Sequence, residues 1–182
     1  MDVKYYLYHF ARLHTAKLKG KQAPHKAVLL LAVMSMIERG RICSAEIELT
    51  DELVSEFKRI WQDRVPESCP FSCDICKPFF HMQHEPFWRL IEHEEDYFMV
   101  AEELGLYTNA KKQMVKSYTL SALRENFRCA KIDESLLEIM KDDSARKELE
   151  NLLISKYLTY DSPYDKVHSF VAMIGATLWL VA

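Results

Sequence analysis

The stretch Ala27-Val-Leu-Leu-Leu-Ala-Val-Met-Ser-Met-Ile37 constrains this chain more than any other. It is apolar on nearly every side of a helix. Pro24 stands where such a helix starts, its missing N–H being a donor that a first turn leaves unused anyway, and Gly40 stands just past its end. A helix that lies on a surface shows one apolar stripe, whereas one without a polar face has to be surrounded. The rest of the chain must therefore wrap this segment. With 182 residues, 49% of them apolar, and only 4 Gly and 6 Pro, there is material for such a core, with no repeats and no low-complexity stretch.

The flanking sequence supplies further helices. Residues 2–18 read as one, with Tyr6, Phe10 and Leu13 at helical spacing. The basic connector from Lys17 to Ala23 follows, broken by Gly20. Thr50 caps another helix, with Asp51 and Glu52 in its first turn and Leu53, Phe57, Ile60 and Trp61 as its apolar stripe. Residues 65–78 form a loop rich in Pro, Ser and Cys. Trp88 to Ile91 and Asp96 to Val100 have strand composition, and the acidic turn between them suggests a hairpin. Helices are expected again over 117–127, from Asp133, and from Asp143 or Ser144 to about Tyr157. The expected fold is mainly α: a single compact helical domain over residues 1–160, with a short β-hairpin around residues 88–100, then a linker or apolar tail at 161–182. That tail reads as a linker, a docking segment or an accident of the reading frame.

Charge is unevenly placed. Between Met1 and Arg41 eight Lys and Arg face only Asp2 and Glu38, although the whole chain carries a net charge of -3. A basic pole on an acidic body suits a polyanion on one face as well as it suits an ordinary solvated surface. The charged, aromatic start is not a secretory signal, and neither Ala27 to Met34 nor the tail is long enough for a membrane span. Five cysteines are then expected as reduced thiols in a cytoplasm.

Ala23-Pro24-His25-Lys26-Ala27 is the candidate binding site. A helix N-terminus presents unpaired N–H groups and the positive end of the macrodipole, so it attracts anions. Pro24 adds a rigid apolar ring, and His25 and Lys26 add donors and charge. An anion with one poorly hydrated face fits this better than plain phosphate. The simpler alternative is a proline that starts a buried helix with solvated neighbours.

The string Ala23-Pro-His-Lys-Ala-Val-Leu-Leu-Leu31, with Ile37-Glu-Arg-Gly40, resembles the sulfur-binding domain of phosphorothioation-dependent restriction endonucleases of the HNH type. The similarity continues at Pro78-Phe-Phe-His81-Met82, Phe87-Trp-Arg-Leu90, Asp133-Glu-Ser-Leu-Leu137, Ala145-Arg146 and Leu152 to Tyr157, and covers roughly residues 5–158. The resemblance implies recognition of double-stranded DNA in which sulfur replaces a non-bridging phosphate oxygen. It further implies an apolar cup made by Pro24 with the Cβ atoms of Ala23 and Ala27. His25 and Lys26 would hold the phosphate or adjacent base edges, and Arg12, Lys17, Lys19 and Lys21 would contact the backbone without regard to sequence. His81 matches the family's histidine after paired aromatics and is placed near the DNA, a core histidine being the competing reading.

Two features depart from that family. Its members carry an HNH nuclease, which needs His, Asn and His on a compact metal-binding unit. Here Asn109, Asn126 and Asn151 stand in no such setting, so the expectation is binding without cleavage and without a cofactor, any nuclease being a separate domain or partner chain. The second departure is Cys69-x3-Cys73-x2-Cys76. Its spacing matches a radical-SAM cluster motif, but the barrel and glycine-rich strand of that fold are absent. A zinc tetrahedron of Cys69, Cys73 and Cys76 with His81 or His84 competes with plain thiols. It would belong to a different reading: a protein-interaction or regulatory module. Glu56 and Lys58, after Asp51, faintly echo a nuclease arrangement and read as solvated charges on a helix.

Overall fold

In a computed structural model of the chain, residues 2–93 and 118–159 are described. Helix α1 (Val3–Phe10) is shorter than its apolar spacing suggests. The basic connector forms a hairpin, β1 (Lys17–Leu18) with β2 (Lys21–Gln22). Lys19 and Gly20 both take positive φ, +52° and +78°, as a two-residue turn that follows the strand twist requires. The central helix α2 (His25–Glu38) ends before Gly40, whose φ of +65° suits a residue without Cβ. From Ala27 to Met34 every side chain is buried.

After β3 (Glu46–Ile47), the Thr50 hydroxyl accepts the Leu53 N–H and starts α3 (Asp51–Arg64). α4 (Cys76–His81) and a 3-10 turn (Met82–His84) lead to β4 (Trp88–Glu92). Then come α5 (Leu120–Asn126), β5 (Phe127–Ile132), α6 (Glu134–Lys141), α7 (Asp143–Leu153) and a π turn (Ile154–Leu158). The molecule is mainly α with some β. α2 lies against α3, α4, α6 and α7, so its all-round apolar surface is covered as its composition demands.

The described strands form a sheet that the sequence did not announce. Trp88–Glu92 is a strand, but it pairs antiparallel with β5, which also pairs with β3, giving the order β3-β5-β4. Phe127 to Ile132 alternates weakly and follows directly from a helix, so its strand is set by partners 35 and more residues away. Residues 96–100, the expected partner of β4, lie outside the described residues, as does the apolar tail at 161–182. No described helix is long and apolar enough to cross a membrane.

Two tyrosines fix α1 and the connector behind it. Tyr6 Oη donates to Asp133 Oδ2 at 3.0 Å and lies 2.7 Å from Ser135 Oγ, joining α1 to the start of α6. Tyr157 Oη accepts the Leu13 N–H at 3.0 Å and donates to the Phe10 carbonyl at 2.9 Å. The second clamp holds the turn after α1 and so positions His14.

Candidate nucleic-acid interface

The first helical hydrogen bond of α2 runs from Val28 N–H to the Pro24 carbonyl, 2.9 Å. The N–H groups of His25, Lys26 and Ala27 precede that ladder, and no side chain caps this end. A cavity of about 510 Å3 opens beside it, a volume in the usual range for ligand sites. Its walls come from four places: His14, Thr15 and Ala16 after α1, Ala23, His25 and Lys26 at the helix start, Pro70, Phe71, Ser72 and Asp74 of the loop, and Lys77, Pro78, His81 and His84 on α4 and the turn after it.

Of the five residues expected to form the site, Ala23, His25 and Lys26 line this cavity. Pro24 and Ala27 do not. Both are buried, Ala27 completely, so the cup of Pro24, Ala23 and Ala27 is not assembled as expected. Helical geometry gives the reason: Ala27 is the first residue whose Cβ turns toward the core that α2 fills. The apolar wall is instead Ala16, Ala23, Pro70, Phe71 and Pro78.

Lys26 also differs from its expected role. Its side chain is buried and its ammonium meets Glu85 Oε1 at 2.5 Å. The same carboxylate accepts the His14 N–H at 2.9 Å and lies 3.3 Å from His14 Nδ1. Lys26 therefore neutralises a buried acid and ties the start of α2 to the turn after α1. It brings little free charge to a ligand, and Glu85, which the sequence reading missed, is the reason.

His25 packs its ring against Trp61 and Phe71, with centroids 4.7 and 5.7 Å away. Its Nε2 lies 2.7 Å from the Ser72 carbonyl. A carbonyl only accepts, so Nε2 carries the proton and Nδ1 of the neutral ring is an acceptor. Burial lowers the His25 pKa below the usual histidine value, against the raising effects of Ser72 and Asp74. The ring is thus neutral near pH 7, a hydrogen-bonding group before it is a cation. His81 is half-buried, lines the cavity, and stacks on His84 with centroids 5.9 Å apart. Burial, then His84, Lys26 and Lys77, lowers its pKa too.

The expected backbone contacts lie on the outside. Lys17, Lys19 and Lys21 are exposed on the hairpin, and the Arg12 guanidinium sits 3.8 Å over the Tyr8 ring. Ala16 and Ala23, which join the hairpin to the body through an Ala23 N–H to Ala16 carbonyl bond of 2.8 Å, line the cavity. The basic hairpin therefore rises from the cavity rim. Lys77 extends the positive side from α4, partly countered by Asp74 at 4.0 Å.

Among the described residues no three His, Cys, Asp or Glu side chains are grouped to hold a metal, so the zinc tetrahedron of Cys69, Cys73, Cys76 and His81 is not assembled. Cys69, Cys73 and Cys76 are not joined in a disulfide. Burial pushes the Cys76 thiol up to about 11 and raises that of Cys73. Glu56 is not a solvated charge either. It is buried, accepts from Arg59 and from Ser35 Oγ, and pairs with Arg39.

No protein-family model matches the chain, and no curated protein matches it.

Proposed function

We propose that this chain binds double-stranded DNA through the face that carries the cavity and the basic hairpin. The cavity takes one backbone phosphate and prefers one in which sulfur replaces a non-bridging oxygen. The reading extends to residues 1–160 as one reader domain of a restriction system, acting in the cytoplasm, binding without cutting and needing no cofactor.

The observation that carries this reading is the composition of the cavity at the start of α2. The cavity is lined by the imidazoles of His14, His25, His81 and His84 and by Lys77 beside an uncapped helix start, and also by apolar Ala16, Ala23, Phe71 and Pro78. The first set attracts an anion. The second rewards the part of that anion that gives up its hydration most readily. Sulfur in a phosphorothioate keeps the charge but holds water weakly, whereas oxygen placed against the same wall loses water and gains no hydrogen bond. The exposed lysines of the hairpin then add contacts that depend on salt and not on sequence. The resemblance in sequence points to the same chemistry, with the apolar wall moved from Pro24 and Ala27 to Ala16, Phe71 and Pro78.

The test is binding to matched duplexes, one with a single Rp phosphorothioate in each strand and one with oxygen, across several salt concentrations. A preference for sulfur that persists at high salt supports the apolar wall. Equal and steeply salt-dependent binding leaves a general DNA-binding domain. Binding to neither moves the chain to the protein-interaction class.

A further inference from the structure

We propose that the β1–β2 hairpin enters the major groove of the duplex whose backbone occupies the cavity, and that Leu18 contacts thymine methyl groups there. This rests on the reading above and adds to it a groove, a base and the residue that meets it.

Among the described residues two large apolar side chains are exposed, Tyr8 at 54% and Leu18 at 45%. Tyr8 already carries the Arg12 guanidinium on its ring. Leu18 stands on a ribbon of two residues per strand, paired Lys17 to Gln22 and Leu18 to Lys21. Cross-strand partners share a face, so Leu18 and Lys21 lie on one side of the ribbon and Lys17 on the other. Lys19 stands at the tip, where a Cβ added to Gly20 would meet nothing within 4 Å. This is a narrow, projecting element with one leucine set among three lysines.

A surface that covers Leu18 must therefore be apolar at its centre and anionic around it. The major groove of a duplex has that pattern, with thymine methyl groups on its floor and phosphates along both edges. It is about 12 Å wide and admits a two-stranded ribbon, whose strands are about 4.8 Å apart. The position agrees as well. Ala16 and Ala23, at the foot of the hairpin, are cavity residues, so a backbone seated in the cavity brings its own groove to the ribbon.

The experiment measures binding of the full chain to phosphorothioate duplexes that contain thymine, or deoxyuridine at every thymine position, for the wild type, Leu18→Ser and Lys19→Ala, at several salt concentrations. Deoxyuridine lacks only the methyl group. The wild type is expected to lose about fourfold in affinity for each methyl contacted. Leu18→Ser is expected to bind the thymine duplex as weakly as the wild type binds the deoxyuridine one, to be indifferent to the replacement, and to keep the wild-type salt slope. Lys19→Ala is expected to lower that slope by about one. Equal binding of thymine and deoxyuridine duplexes by the wild type overturns the inference, as does a Leu18→Ser variant that loses nothing. A sulfur preference that survives beside either result leaves the reading of the cavity intact. Absence of any duplex binding removes both. Leu18-dependent binding to phosphatidylserine vesicles in place of DNA also overturns the groove assignment.

Discussion

The two ends of α2 handle buried charge in opposite ways. At the C-terminal end the Arg146 guanidinium reaches Glu38 at 2.9 Å, Asp143 at 2.6 Å and the Met140 carbonyl at 3.0 Å. Glu56 beside it takes Arg59, Arg39 and Ser35. Both groups are saturated by partners, and the end is closed. At the N-terminal end Lys26 has one carboxylate, Glu85, which it shares with His14, and the surrounding space is a cavity. The number of ion pairs thus says little about where a ligand goes. A site arises where charge balance is met with few partners and the helix end is left uncapped.

The largest effect tests the open end. Lys26→Met should lower stability by about 3–5 kcal/mol in urea unfolding, because it leaves Glu85 buried without its counter-charge. Adding Glu85→Gln to that variant should restore part of the loss. If Lys26→Met costs under about 1 kcal/mol, the end is not held by this pair. Arg146→Leu should cost less, about 2–3 kcal/mol, although Arg146 has more partners. Glu38 and Asp143 keep 55% and 80% of their side-chain surface in water and rehydrate once released, so the loss comes from the Met140 carbonyl and the packing. An Arg146 variant more damaging than the Lys26 one would reverse the comparison.

The same contrast explains what the sequence discloses. α2 was legible end to end, since Pro24, Gly40 and an unbroken apolar run are local signals. The caps at Thr50 and the helix after Asp133 were local as well. Strand β5 was not, because Phe-Arg-Cys-Ala-Lys-Ile carries no firm alternation and its order comes from β3 and β4. In the site, the start of α2 was readable, whereas the Lys26–Glu85 pair spans 59 residues and needs the fold before it exists. Glu56 misled for the same reason. Its position within a helix looks solvated until Ser35 and Arg39 of the neighbouring helix end are known to cover it.

The ends should also titrate in separate windows. Arg59, with Ser35 and Arg39, lowers the Glu56 pKa from 4.5 to about 2. A depressed carboxylate contributes stability above its unfolded value that is lost as pH falls toward its folded one, so the closed end weakens between about 4.5 and about 2. His25 is a base whose pKa burial lowers. The unfolded chain then binds the proton more readily, so stability is complete above about 6.5 and falls as pH drops below it. Urea midpoints followed over pH should show two declines. Glu56→Gln should weaken the acidic one, and His25→Asn should reduce the one below 6.5 to the share that His81 contributes. A single decline that ignores both substitutions would mean that the ends are not distinguished by these groups.

The smallest effect concerns the loop that walls the open end. It is held to α4 by the Asp74 carboxylate, which accepts the Cys76 N–H at 2.9 Å, and to α2 by the Ser72 carbonyl, which takes the His25 ring. Neither contact uses a thiol, and the raised pKa of Cys73 and Cys76 keeps both protonated near neutral pH, the form that binds metal poorly. Cys73→Ser, at an exposed position, should therefore change stability by less than about 0.5 kcal/mol. A chelator should leave the melting temperature of wild type and variant where it was. If the chelator lowers the wild-type melting temperature and Cys73→Ser abolishes that response, a metal closes the loop and the open end is open only without it. The contrast between the ends of α2 would then be one of occupancy and not of construction.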